Sequence, residues 1–211
     1  MKDQKKSIFD VKAATWEEDP FRVKLAYDIS DTIIREIAPA KDMNVLDYGC
    51  GSGLVTLKLQ PFVKSITGMD SSEGMLAVLR SKVEKQHLKN VHIRFMDLEQ
   101  CTEVNDMFHL IVSSMTLHHI KEPLRLFKRL YDFLLPGGLL GIADLDKEDG
   151  AFHKDNTGVV HFGFERSQLK GFLEEAGFSS VRDVTAAKLT RADKENNRRE
   201  FSVFLIIAVK E

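Results

Sequence analysis

Residues 44 to 53 read Asn-Val-Leu-Asp-Tyr-Gly-Cys-Gly-Ser-Gly. Val45 and Leu46 close a short apolar run that reads as a buried strand, with Asp47 at its carboxyl end. Gly49, Gly51 and Gly53 then alternate into the helical pattern Leu54-Val55-Thr56-Leu57-Lys58-Leu59. Glycine lets a backbone turn sharply and approach a ligand with no Cβ in the way. A glycine-rich turn between a parallel strand and its helix is where doubly wound α/β proteins bind nucleotides. A dinucleotide site asks for G-x-G-x-x-G, and counting from Gly49 and Gly51 puts Leu54 at the third glycine. A P-loop needs Gly-Lys-Ser/Thr, and none follows.

Working outward, the chain alternates strands and helices. Asp19-Pro20 reads as a helix start, with Asp19 as cap and Pro20 in the first turn. Leu25, Ile29, Ile33 and Ile37 recur every four residues, so residues 20 to 38 form an amphipathic helix that stops before Pro39. Strands are predicted at Asn44 to Tyr48, Val63 to Asp70, Val91 to Met96, Phe108 to Ser113 and Leu139 to Ala143. Helices are predicted at Gly53 to Leu59, Ser72 to Gln86 and Pro123 to Leu134, with Pro136-Gly137-Gly138 as punctuation. Ser167 is read as the cap of a helix ending at Gly177. Val181 to Leu189 and Phe201 to Val209 close the chain as strands, with Thr190 to Glu200 as a charged loop between them.

Strand–helix alternation followed by two strands with no helix between them implies α/β architecture. The expected fold is a single doubly wound, mostly parallel seven-stranded sheet with an antiparallel C-terminal hairpin and helices on both faces. Its 211 residues suit one domain with a full core. The 30 basic and 32 acidic residues give a net charge of −2, so nothing global draws the chain to nucleic acid or to a membrane surface. No apolar run approaches the ~20 residues of a membrane span, and the amino terminus leads into no apolar signal segment. Cys50 and Cys101 are the only cysteines and lack C-x-x-C spacing, so neither a disulfide framework nor a metal site is expected, and the setting is read as cytoplasmic.

The spacing Asp-x-Gly-x-Gly-x-Gly at Asp47, Gly49, Gly51 and Gly53 resembles the first motif of the class I S-adenosylmethionine-dependent methyltransferases. The strand order does too, since in that family the last strand inserts antiparallel beside the fifth. The resemblance covers about residues 40 to 211, with residues 1 to 39 as an N-terminal extension and helix that is a candidate lid. It implies S-adenosylmethionine as cofactor, S-adenosylhomocysteine as product and a small-molecule methyl acceptor, with monomer and homodimer both open.

In a parallel sheet the carboxyl ends share one edge, so Asp47, Asp70 and Asp97 should face one crevice. Each acid alone reads as a cap or turn residue; three at successive strand ends suit a cationic nucleoside ligand. The resemblance assigns the ribose hydroxyls to Asp70, the adenine border to Ser71 and Met75, the adenine amino group to Asp97 and the ring face to Leu98. It puts Asp47 near the methionine ammonium, Gly49, Cys50, Gly51 and Gly53 in the cofactor loop, and Ser113 by the methionine part.

Ser113 to Ile120 reads Ser-Ser-Met-Thr-Leu-His-His-Ile and resembles the family's stretch beside the reactive methyl, followed by a helix and Leu-x-Pro-Gly-Gly. Adjacent helical residues point about 100° apart, so His118-His119 is read as orienting the loop rather than as a metal pair, with His118 a candidate base. The segment Asp144 to Arg166 is the candidate acceptor-facing insertion. It carries Phe152, His153, His161, Phe162 and Phe164, with His161 the second candidate base, or else its phenylalanines pack the loop onto the sheet edge. Alternatives are a cofactor-binding member without turnover and a methyltransferase for protein or nucleic acid. The latter often carries Asn/Asp-Pro-Pro-Tyr/Phe after the fourth strand, where Ser-Ser-Met-Thr stands here. Against an NAD-dependent oxidoreductase, the third glycine is misplaced and the chain has no Tyr-x-x-x-Lys pair.

Overall fold

A computed structural model of the chain describes residues 7–97, 106–192 and 198–211. A short helix α1 (Ile8–Lys12) and a 3-10 turn (Ala13–Glu18) precede α2 (Pro20–Ile37). Then follow β1 (Asn44–Tyr48), α3 (Leu54–Leu59), β2 (Ser65–Asp70), α4 (Glu73–Lys85) and β3 (Val91–Phe95). After these come β4 (Phe108–Ser114), a 3-10 turn at Leu117–His119, α5 (Pro123–Asp132), β5 (Leu134–Leu145), α6 (Arg166–Glu175), β6 (Ser179–Ala192) and β7 (Arg198–Val209).

The strands form one seven-stranded sheet in the order β3-β2-β1-β4-β5-β7-β6. Neighbours from β3 to β5 run parallel, and β7 runs antiparallel between β5 and β6. This is the expected order, with the last strand beside the fifth. Alternation along each strand sends side chains to two cores. Leu46, Ile111, Phe204 and Ile206 pack on one face with Phe127 and Leu130 of α5 and Leu169 and Leu173 of α6. Val45, Leu110, Val112, Leu205 and Ile207 pack on the other with Ile29 and Ile33 of α2 and Leu59 of α3. A sheet buried on both faces needs continuous apolar strands, and Val203 to Ala208 is one.

Local chemistry sets the element ends. Asp19 caps α2, its Oδ1 accepting from the Phe21 N–H at 3.0 Å, and Ser72 caps α4 by accepting from the Met75 N–H. Three expectations change. Ser167 is not a cap: α6 starts at Arg166 behind Glu165, which makes no side-chain capping bond. Pro136-Gly137-Gly138 lies inside β5, where the β4–β5 register shifts between Phe108 and Leu110. The bulge is held by β7's end, through Gly137 N–H to Lys210 O (2.7 Å) and Lys210 N–H to Gly138 O (2.9 Å). The expected Thr190 to Glu200 loop is shorter, because β6 and β7 stay paired out to Ala192 and Arg198. Residues 193 to 197, and Leu98 and Cys101 with the expectations placed on them, lie outside the described residues.

Candidate active site

The glycine loop leaves β1 as a tight turn. The N–H groups of Gly49 and Cys50 both donate to Met69 O, at 2.8 and 3.1 Å, tying the turn to β2. Gly49 and Gly51 have φ of 71° and 53°, the left-handed region that favours glycine. The three glycines serve different ends. A Cβ at Gly49 would stand 2.3 Å from Thr116 Oγ1, and one at Gly53 would stand 2.3 Å from Leu79 Cδ1. A Cβ at Gly51 would meet nothing within 4 Å. Gly51 therefore faces open space, whereas Gly49 and Gly53 let neighbouring elements close in.

That space is a cavity of about 690 Å³ along the carboxyl ends of the strands. Asp47, Gly49, Cys50, Gly51, Asp70, Ser71, Met75, Asp97 and His118 all line it. Three expected site residues do not. Gly53 packs on Leu79 instead. Ser113 is buried and donates its hydroxyl to Tyr48 O at 2.8 Å, while the adjacent Ser114 reaches the cavity. His161 Nε2 is bonded to Ile120 O at 2.9 Å and its backbone N–H to His118 O at 3.0 Å, so it braces the loop behind His118. Of the insertion's aromatics, Phe152 lines the cavity, Phe164 sits in the core and Phe162 is 39% exposed.

Asp70 is held by backbone donors on both sides. Its Oδ2 accepts from Gly51 N–H and its Oδ1 from Ser72 N–H, each at 2.8 Å. Burial pushes its carboxyl up, and these N–H groups pull it back down. Each oxygen keeps a further acceptor direction for a ligand hydroxyl. Asp47 is buried, with Oδ2 accepting from Thr56 Oγ1 at 2.5 Å. Burial pushes it up to about 7, against the Thr56 bond and with the charge of Asp70. A buried acid on a cavity wall is matched to a cation.

Sequence reasoning missed Asp10. From α1 its Oδ1 accepts from Ser72 Oγ at 2.6 Å and Gly74 N–H at 3.0 Å, at the start of α4. Its Oδ2 accepts from Ser7 N–H, and Ser7 Oγ from Asp10 N–H, in a capping box. The Ser72 bond leads in drawing Asp10 down to about 2. Lys82 continues the tether, pairing with Glu17 and donating to Ser52 O at 2.9 Å. Ser7, Phe9, Lys12 and Trp16 thereby become part of the cavity wall. The signal was present as Ser7-x-x-Asp10, which has the spacing of a capping box.

Asp144 was missed as well. It is fully buried near the end of β5, and its Oδ1 lies 2.8 Å from His118 Nδ1. Its Oδ2 accepts from His118 N–H at 3.2 Å, and Oδ1 accepts from Leu145 N–H at 2.7 Å. Burial works to raise the carboxyl, but His118 and these hydrogen bonds hold it below the usual range. Nδ1 thus faces the carboxylate, and the buried Nε2 finds no hydrogen-bond partner among the described residues.

His119 and His153 stand beside it, with ring centroids 4.1 and 5.0 Å from His118. His119 Nδ1 bonds Gly158 O at 2.7 Å, and burial first, then His118, brings its ring down to about 4. Burial first, then His118, His119 and Arg191, bring His153 to about 3. Both rings are therefore neutral near pH 7. Among the described residues no group of three or more His, Cys, Asp or Glu is arranged to hold a metal ion, and no helix is long and apolar enough to cross a membrane.

A family described as methyltransferase domain matches residues 21–182. An uncharacterised methyltransferase of Schizosaccharomyces pombe is 28% identical over 185 residues, 81% of this chain and 65% of that protein. A ubiquinone biosynthesis O-methyltransferase of Coxiella burnetii is 31% identical over 112 residues, 53% of this chain and 47% of that protein. The chain thus spans about half to two thirds of the length of these relatives. Among solved structures, the putative methyltransferase bound to the Trm112 activator of Haloferax volcanii superposes with a TM-score of 0.75. It is 15% identical, over 98% of this chain and 99% of that one. Phosphoethanolamine N-methyltransferase 2 of Haemonchus contortus, in complex with S-adenosylhomocysteine, gives 0.69 at 19% identity over 86% and 52%. Shared fold, glycine turn and family match together place this chain in the methyltransferase-domain family.

Proposed function

We propose that the chain transfers the methyl group of S-adenosylmethionine to a hydroxyl of a small-molecule acceptor, with His118 removing the acceptor proton. The observation that carries this reading is His118 itself: it lines the cavity, its Nδ1 is bound to the buried Asp144, and its buried Nε2 has no hydrogen-bond partner among the described residues.

The cavity suits the cofactor. Gly51 offers backbone with no obstruction within 4 Å, Asp70 has acceptor capacity left on both oxygens, and Asp47 is a buried acid whose charge a cation would favour. Asp70 would take the ribose hydroxyls, Asp97 the adenine amino group, Ser71 and Met75 the adenine border, and Asp47 the ammonium. When bound, the sulfonium supplies an electrophilic methyl carbon. Gly53 and Ser113 support this shell from behind, through Leu79 and Tyr48.

Methyl transfer to a hydroxyl has to lose a proton, which gives a general base a task worth about 10²–10⁴-fold in rate. His118 Nε2 accepts that proton while Asp144 holds the tautomer and stabilises the resulting imidazolium. His119 and His153 stay uncharged near pH 7, so neither opposes the new charge. His161 fixes the loop through Ile120 O and stands outside the cavity. Placement of the acceptor oxygen supplies the remainder of the rate. The Coxiella burnetii relative, named as an O-methyltransferase, supports oxygen as the acceptor atom.

The test is a screen of hydroxylated acceptors by S-adenosylhomocysteine release, repeated with His118→Gln. The variant should keep its affinity for S-adenosylhomocysteine and lose about 10²-fold or more in kcat. Unchanged turnover would remove the base from the mechanism.

A further inference from the structure

The cavity wall carries charges of both signs. Asp47, Asp70 and Asp97 lie on the side formed by the ends of β1 to β3, whereas Lys12, Arg22, Lys154 and Arg191 line the rest together with Asp19 and Asp155. Two of these cations are already paired. Lys12 meets Asp155 at 3.6 Å, and Arg22 meets Asp19 at 3.6 Å while lying 4.1 Å above the Trp16 ring.

Arg191, near the end of β6, is different. Its guanidinium is half-buried, 4.4 Å from the Phe21 ring centre and 5.1 Å from that of Phe152. Among the described residues its sole hydrogen bond is from Nη1 to Phe152 O at 2.9 Å, and no carboxylate pairs with it. A guanidinium has five N–H donors in a rigid fork, so most of its donor capacity is unspent. Burial leads in pulling it below its ordinary value, with Asp19 opposing and Arg22 reinforcing the drop. A half-buried guanidinium with neither full hydration nor, among the described residues, a carboxylate in ion-pair contact is matched to an anion.

Its position relates it to the reacting end. His118 touches His153 (5.0 Å between ring centres), His153 meets Phe152 edge-on (4.8 Å), and Phe152 meets Arg191. The wall between the base and the guanidinium is thus made of rings, with Trp16 and Phe21 also lining the space. An aromatic wall accepts a flat apolar body, and the forked guanidinium accepts a carboxylate or phosphate in two parallel hydrogen bonds.

We propose, resting on the methyltransferase reading above, that the acceptor is a flat hydroxylated molecule carrying an anionic group, and that Arg191 receives the anion. Arg191 is then the specificity-determining residue: it sets which hydroxylated compounds place their oxygen at His118. The two rings that flank it hold the fork in place before the ligand arrives, which lowers the ordering cost of binding.

The test uses the full chain saturated with S-adenosylhomocysteine, whose own binding is measured first. Three probes are titrated: 3-hydroxybenzoate, 3-hydroxyphenyl phosphate and the neutral 3-hydroxybenzamide. Calorimetry reads affinity, and Trp16, the only tryptophan, reports occupancy by fluorescence. At least one anionic probe should bind tenfold or more tightly than the amide, and the better of the two identifies carboxylate or phosphate. Arg191→Leu should erase that preference while S-adenosylhomocysteine still binds, which shows the variant is folded. Arg191→Lys, keeping the charge but not the fork, should retain only part of it. Equal binding of all three, no binding of either anion, or a preference surviving Arg191→Leu would overturn the proposal and leave the cofactor reading intact. Failure of S-adenosylhomocysteine to bind the unaltered protein would instead overturn the reading beneath it.

Discussion

Asp10 Oδ1 lies 2.6 Å from Ser72 Oγ, so one carboxylate of the N-terminal helix caps the helix that follows Asp70. Ser72 N–H at the same time donates to Asp70 Oδ1. The N-terminal segment and Asp70 are therefore joined through a single serine.

Replacing Asp10 with Ala should remove the tether, at a cost of about 0.5–2 kcal/mol, the range for loss of a capping side chain. The local effect should exceed the global one, with residues 7–18 exchanging amide hydrogens faster while β1 and β4 stay protected. Hydrogen exchange by mass spectrometry reads this. Asp10 is drawn down to about 2, so the stability it contributes is present above about pH 4 and lost as pH falls through 2. Unaltered exchange in residues 7–18 would mean that Lys82 and the packing of α1 suffice.

Replacing Asp70 with Ala should weaken binding of S-adenosylmethionine by about 1.5–3 kcal/mol, the scale of hydrogen bonds to a charged group. It also frees the Gly51 and Ser72 N–H groups, so glycine-loop disorder would add to the loss. Calorimetry measures it, and an affinity equal to that of the unaltered protein would take Asp70 out of the ribose role.

Asp47 predicts a proton-linked binding event. Burial raises its folded-state value to about 7, well above the 3.8 of an exposed aspartate. The stability linked to this shift is present below about pH 4 and lost as pH rises through 7. An ammonium arriving beside the carboxyl favours its ionised form. Cofactor binding near pH 6.5 should therefore release a proton, seen by calorimetry in two buffers of different ionisation enthalpy. Asp47→Asn should abolish the release, and no release from the unaltered protein would place the ammonium elsewhere.

The histidine group predicts acid sensitivity of the opposite sign. His153 and His119 are held at about 3 and 4, below the 6.5 of an exposed ring. Their contribution is present above pH 6.5 and is lost as pH falls toward those values. Urea denaturation should show stability declining from pH 6.5 to 4, and His153→Gln should flatten the decline. An equal slope in the variant would assign it to other groups.

The sequence carried most of the fold because its signals are local. The β1 boundaries, the Asp19 cap and the apolar run of β7 each follow from a few adjacent residues. The glycine turn was legible for the same reason. What stayed hidden depends on residues far apart in the chain. Asp144 meets His118 from 26 residues away, across α5, and Asp10 meets Ser72 from 62 residues away, across α2, β1, α3 and β2. His161 and His118 look alike in sequence, and only the path of the insertion separates them: one ring bonds a carbonyl behind the loop, the other lines the cavity. Asp144 was within reach, since the reasoning applied to the first three strand ends extends to the fifth. Arg191 was not, because it reaches the cavity only through the hairpin that carries it past Phe152.

The placement of β7 bears on how the chain assembles. A strand made after β6 must slot between β5 and β6, so until Arg198–Val209 emerges those two strands have no shared ladder. During synthesis β1 to β5 can condense early through their parallel units. The Arg191 end of β6 cannot take its place until the final hairpin closes. Such late, long-range pairing is slow and leaves apolar strand edges open to other chains. A ribosome stalled before residue 198 would thus display an open sheet prone to aggregation, with its glycine turn made and Arg191 not yet brought to the cavity.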